Sequence, residues 1–241
     1  GTLGCGRSVA DGIDAVTFKR ALCVYGVIDL EEFSPADDKE SIRRELGLPA
    51  KKVIALYAGY LQERKGIYEM LEAFSRIASI DDNILLCVCG SGEEEEERFG
   101  EMVRRRNLTE TIKVVGEVPP ERMSRWVKAS DLFVLATHTE GMPNVVMEAM
   151  ACGLPVVATQ VGGLPEAVAD CEGAILVPAR DVEKFKDAVL RVAQDEGLRR
   201  RMGAAARARA EERFEVMQNA RRILEHLSGI VEANRRANGR C

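Results

Sequence analysis

The chain has 241 residues, 46% of them hydrophobic and 30% charged, with a formal net charge of -5. This composition suits a globular fold with ample core material, and its acidic balance disfavours a general nucleic-acid binder; the runs Arg104–Arg106 and Arg199–Arg201 read as solvated helix ends. No apolar run approaches the ~18 residues that signal a membrane span.

In chain order, residues 1–25 carry no pattern, and the chain opens on Gly1 rather than Met, as an excised piece of a longer protein would. "GVIDLEEFSP" (26–35) reads as a linker and "DDKESIRRELGLP" (37–49) as a short helix. Continuous apolar runs at Val53–Ala58, Ile84–Cys89, Leu132–Ala136 and Leu154–Ala158, with weaker ones at Ile112–Val115 and Ala174–Val177, read as strands buried on both faces. Between them lie segments of helical period. Ile67, Met70, Leu71, Phe74, Ile77 and Ala78 form one stripe, and Val182, Phe185, Val189 and Val192 another. The segment Glu93–Arg106 runs from glutamates to arginines, which suits the helix dipole, with Glu94/Arg98 and Glu101/Arg105 as i,i+4 pairs. Glu196 to about Arg236 reads as two helices broken near Phe214. Strand and helix alternate about six times, which predicts a doubly wound, mostly parallel, Rossmann-like α/β domain followed by C-terminal helices.

There are seven scattered cysteines. Cys87 and Cys89 sit on one predicted strand, where alternate side chains face opposite ways, so the pair is a poor chelate. Free thiols in a reducing cytoplasm fit this pattern.

The stretch "HTEGMPNVVMEAMACGLPVVA" (138–158) is apolar except for a few polar positions. Pro143 suits the first turn of a helix. Glu140, Gly141 and Met142 then lie in a loop at the carboxyl end of a parallel strand, where open α/β sheets bind ligands. The amides of Asn144 and Val145 open the helix and form an anion site. Asn144 and Glu148 share one face. A buried Glu148 requires a partner: two vicinal ribose hydroxyls, or a core lysine or arginine in a salt bridge. In "YAGYLQERKGI" (57–67), Gly59 permits a sharp turn, and Arg64 and Lys65 put two cations at the same sheet edge. They suit a diphosphate, or else a solvated basic turn. "CGSGEEEE" lacks a full phosphate-loop fingerprint and reads as a tight turn. Gly162 and Gly163 fit either backbone approach to a ligand or a simple turn, and Glu166 fits first-turn helix chemistry. His138 lies two residues from Glu140; His226 reads as a surface residue of a C-terminal helix. No zinc spacing, Walker lysine, nucleophile elbow or Asp-x-Asp is present.

Taken together, "EGMPNVVMEAMACGLPVVATQVGGLPEAV", "GYLQERKG", "GVIDLEEFSP" and "EGAILVPARDVEKFKDAV" resemble the ordered motifs of retaining glycosyltransferases of the GT-B fold, family 4 (glycosyl transferases group 1). The resemblance runs from about Gly26 to Ile230, with Glu140 and Glu148 matching the family's two glutamates. It implies one half of a GT-B fold: residues 1–33 as remnant or linker and 34–236 as the donor-binding domain. It implies no cofactor and no metal, with a UDP-sugar first and a GDP-sugar second as donor. Lys65 would stabilise the departing diphosphate, Glu148 would hold the ribose hydroxyls, the backbone around Gly141–Asn144 would bind the distal phosphate, and Glu140 would face the transferred sugar. The implied partners are a missing N-terminal Rossmann-like acceptor domain and a saccharide or lipid-linked acceptor. The implied location is cytoplasmic, the full-length protein being peripheral to the inner membrane face. Tyr60 stands where the family usually has Arg, so either Arg64 supplies the charge or phosphate binding is weaker. Other readings are a nucleotide-binding module without catalysis and a GT-B-fold nucleotide-sugar epimerase.

Overall fold

A computed structural model describes residues 3–5, 22–24, 27–92 and 94–238, with side chains described over 27–92 and 94–232. Most of residues 1–25, and Glu93, lie outside the described residues. Leu3–Cys5 (β1) and Leu22–Val24 (β2) form a short parallel pair. The main sheet has six strands: Val53–Ala58 (β3), Ile84–Cys89 (β4), Ile112–Gly116 (β5), Leu132–Leu135 (β6), Val156–Thr159 (β7) and Ala174–Val177 (β8). Their order is β5-β4-β3-β6-β7-β8, and every pairing is parallel.

The helices are Lys39–Glu45 (α1), Ile67–Ala78 (α2), Glu94–Arg105 (α3), Pro120–Ala129 (α4), Asn144–Ala151 (α5), Leu164–Ala167 (α6), Val182–Gln194 (α7), Glu196–Arg213 (α8) and Val216–Asn238 (α9). Helix α2 packs against α3 and α7, while α1, α4, α5 and α8 pack in succession as a second layer. Central strands β4 and β6 are buried at every residue, which is why they read as unbroken apolar runs. The outer strands β5 and β8 are mostly half-buried, which is why their signal is weaker.

Chain direction across the sheet reverses between β3 and β6. From β3 the chain winds outward through β4 to β5, then returns to pair β6 with β3 and winds out through β7 to β8. The loops after β3 and β6 therefore meet at one crevice outside the carboxyl ends of the strands, at the topological switch point.

Three sequence expectations shift in detail. Pro143 is the cap of α5 rather than its first helical residue. The strand expected over Leu154–Ala158 spans Val156–Thr159, and Pro155 contributes its carbonyl to Phe133 N at 2.9 Å. Arg98 pairs with Glu95 rather than Glu94, whereas Glu101 and Arg105 pair as expected. The break between the last two helices falls at Phe214, whose carbonyl accepts from Ile28 N at 2.8 Å. The linker thus crosses the chain where α8 gives way to α9, and α9 continues toward β2. Among the described residues no helix is long and apolar enough to cross a membrane.

Candidate functional site

Two loops build the crevice. The first leaves β3 through Gly59, whose φ of +152° favours glycine. Gly59 N donates to Cys89 O at 3.0 Å and Leu61 N to Ser91 O at 2.9 Å, so the turn after β4 braces this loop from the side. A Cβ on Gly90 would lie 1.8 Å from the Gly59 carbonyl, and one on Gly92 2.4 Å from that of Leu61. The glycines of "CGSG" are thus explained by close backbone packing. A 3-10 turn at Glu63–Lys65 then ends on Gly66 in the left-handed region.

The second loop, Ala136–Pro143, is stapled to the first. A Cβ on Gly66 would lie 1.9 Å from the Ala136 carbonyl. His138 N donates to Arg64 O at 2.8 Å. The Thr137 hydroxyl reaches the carbonyls of Arg64 and Thr139 at 3.1 and 2.9 Å. Lys65 Nζ forms a salt bridge with Glu140 Oε1, both side chains being largely buried. These two residues, 75 apart in sequence, come into direct contact. Arg64 is exposed and has no ion pair among the described residues, so a free cation stands beside a neutralised one.

Close backbone packing accounts for the Gly162–Gly163 pair. A Cβ on Gly162 would lie 1.7 Å from the Glu140 carbonyl, and Gly163 N donates to Gly141 O at 2.7 Å. These glycines let the loop after β7 press against the backbone that carries Glu140. Gly141 contrasts with them: it is exposed, and a Cβ there would meet open space. Internal crowding does not require a glycine at that position.

Helix α5 starts at Asn144, with no side chain capping it and no acidic residue in its first turn. Pro143 is buried, Met142 and Val145 are half-buried, and Asn144 is exposed. One turn on, Glu148 is half-buried and makes no salt bridge among the described residues, so the expected alternative of a pair with a core lysine or arginine is not found. Burial, helped by the Glu32 charge on the linker, pushes its carboxyl up to about 7.

Sequence reading missed three elements. His138 Nε2 lies 2.8 Å from Glu69 Oε1 on α2, and Glu69 Oε2 is buried without a hydrogen-bond partner among the described residues. Tyr57, buried at the end of β3, donates its hydroxyl to the Tyr60 carbonyl at 2.7 Å. The third is His226, which is half-buried rather than a surface residue. No local pattern marks the first two contacts, because each depends on the tertiary approach of distant segments or on a turn read only as a strand end. Cys87 and Cys89 are both buried in β4, and burial pushes the Cys87 thiol up to about 12. Among the described residues, no group of three or more His, Cys, Asp or Glu is placed to hold a metal ion.

The fold and the switch-point crevice define a Rossmann-like domain of GT-B architecture. The family described as glycosyl transferases group 1 matches residues 38–209, and the chain belongs to that family. A D-inositol 3-phosphate glycosyltransferase of Streptomyces bingchenggensis is 33% identical over 196 residues, 78% of this chain and 43% of the relative. The chain spans about half the length of the curated relatives it matches. Among solved structures, sucrose-phosphate synthase from Thermosynechococcus elongatus matches with a TM-score of 0.83 at 26% identity, over 96% of this chain and 58% of that one. The C-terminal domain of a group 1 glycosyl transferase from Francisella tularensis matches over 78% of this chain and 99% of that one, with a TM-score of 0.69 and 22% identity. Anabaena HepE in complex with UDP shares the fold, with a TM-score of 0.84 at 20% identity, over 94% of this chain and 63% of that one.

Proposed function

We propose that this chain binds the nucleoside diphosphate of a nucleotide sugar, and that the full-length enzyme transfers the sugar to a saccharide or lipid-linked acceptor with retention. The observation that carries the reading is the contact between Lys65 and Glu140 at the switch point, beside the uncapped start of α5. In the free protein each neutralises the other. A diphosphate entering the crevice would draw Lys65 onto its oxygens and release Glu140 toward the sugar. The leaving diphosphate gains negative charge as the glycosidic bond breaks. Lys65, Arg64 and the amides of Asn144 and Val145 would meet that charge, and fixed charges in a partly buried site stabilise it more than water does. We assign this neutralising role to the chain's own groups rather than to a metal. Exposed Gly141 gives a phosphate room to approach the backbone. Glu148 takes the ribose hydroxyls, and their hydrogen bonds compensate its burial.

UDP is our first choice of nucleotide. Complexes of HepE with UDP and with UDP-glucose share this fold, which supports the choice. The acceptor would bind to an N-terminal Rossmann-like half. Met217, Leu224 and Leu227 on α9 are exposed, which supports their being covered by that half. The half-length match favours a second reading, a nucleotide-binding module whose catalysis requires an N-terminal half.

A thermal-shift panel of UDP, GDP and ADP, each with its sugar conjugates, tests the function. A ligand bound only by the folded state at a hundred times its Kd stabilises by ~2.7 kcal/mol. UDP is expected to raise the melting temperature most; no shift with any nucleotide at millimolar concentration would overturn the proposal. Slow hydrolysis of UDP-sugar by this chain would exclude the pure binding module, and formation of the epimeric sugar would replace transfer with epimerisation.

A further inference from the structure

Tyr57 touches neither the solvent nor either charged loop residue through a hydrogen bond. It is wholly buried as the fifth residue of β3. Its ring belongs to the core, and its hydroxyl is the single polar atom of the side chain. That hydroxyl donates to the Tyr60 carbonyl at 2.7 Å. The backbone between the two residues folds over the oxygen: Gly59 has φ +152°, and a Cβ there would lie 3.4 Å from the Tyr57 hydroxyl. Burial first, and the Glu140 charge second, hold the phenol far above its ordinary range, with Arg64 acting in the opposite sense. The phenol therefore stays a donor at every pH at which the protein is handled, and its electrostatic neighbours are the charges of the crevice.

The turn that carries Arg64 and Lys65 has an anchor at each end. At its far end the Arg64 carbonyl accepts from His138 N and the Thr137 hydroxyl. At its near end the Tyr60 carbonyl accepts from Tyr57. Leu61 N, bonded to Ser91 O, fixes the flank. We propose that Tyr57 is a positioning residue for the diphosphate loop: its hydroxyl fixes the Tyr60 carbonyl, and through it the placement of Arg64 and Lys65 over the crevice. The functional half of this inference rests on the diphosphate reading above; the mechanical half does not.

Tyr57→Phe removes one oxygen and leaves the ring in the core. Two measurements on the whole chain test the proposal. Hydrogen exchange of the unliganded protein reads the turn directly. Losing a buried hydrogen bond changes a local opening equilibrium by about tenfold, so amides 59–66 are expected to exchange about tenfold faster, with 136–141 much less affected. Calorimetric titration with UDP and with uridine reads the consequence. UDP affinity is expected to fall about tenfold while uridine affinity changes less than about twofold. A merely structural tyrosine would lower the melting temperature and weaken both ligands equally. Unchanged exchange over 59–66, or equal losses for UDP and uridine, would overturn the proposal. If the unsubstituted chain itself shows no preference for UDP over uridine, the diphosphate reading fails, and the exchange result alone decides whether Tyr57 holds the turn.

Discussion

Glu148 offers a prediction with a defined sign. Its carboxyl is held at about 7 against an ordinary 4.5, chiefly by burial and secondarily by Glu32. At ~1.36 kcal/mol per pH unit, that gap of about 2.5 pH units corresponds to a cost of about 3 kcal/mol when Glu148 is ionised. Between pH 4.5 and 7 the folded chain binds more protons at this site than the unfolded chain, so stability falls as pH rises through that window and levels off above it. Glu148→Gln keeps the shape and removes the titration. Calorimetric unfolding at pH 4.5 and pH 8 is expected to show no difference between the two proteins at the lower pH. At the higher pH the variant gains up to about 3 kcal/mol, or about 6–12 °C in melting temperature for a chain of this size. Ligand should reverse the preference, because ribose hydroxyls donate best to the carboxylate. UDP affinity is expected to rise more steeply from pH 5 to pH 8 in the unsubstituted chain than in Glu148→Gln, where only the terminal phosphate of UDP still titrates. A variant equally displaced at both pH values, or destabilised at pH 8, would refute the reasoning.

The glycines separate packing from ligand approach. Gly162→Ala, with its Cβ 1.7 Å from the Glu140 carbonyl and φ +55°, is expected to cost several °C in melting temperature and to weaken UDP. Gly141→Ala meets open space, so its melting temperature should hold while UDP affinity drops at least fivefold by titration; unchanged affinity would remove the phosphate from that backbone. At the opposite sheet edge, Asp131 accepts from Lys39, Arg43 and Ile54 N. Burial works against its charge, but these partners outweigh it and keep its carboxyl below the usual range. Asp131→Ala strands the buried Arg43 guanidinium and is expected to destabilise by about 3–5 kcal/mol in denaturant titrations at pH 7, with the loss shrinking as pH falls through the carboxylate range.

The sheet was legible because parallel strands covered by helices read as continuous apolar runs, and because Ile67–Ala78 and Val182–Gln194 keep a helical period. Helix α4 did not stand out, since its buried positions are few and mixed: Ser124, Trp126, Val127 and Ala129. Helix α6, Leu164–Ala167, has only four residues, too short for a period. Candidate site residues were legible one by one from their place after a strand. Their contacts were not, because Lys65 with Glu140 and Glu69 with His138 are joined only by the reversal of strand order. Gly162 and Gly163 show the converse. A glycine pair after a strand carries the same local signal whether a ligand or a neighbouring backbone comes close, and here it is the Glu140–Gly141 backbone.

The crevice at the β3/β6 switch point is tested most directly by calorimetric titration of UDP and uridine into the unsubstituted chain and into Lys65→Ala. The expected result is a preference for UDP of tenfold or more that largely disappears in the variant, while uridine binding is kept. Equal affinity for UDP and uridine in the unsubstituted chain, or equal losses of both in Lys65→Ala, would contradict a diphosphate seat at Lys65.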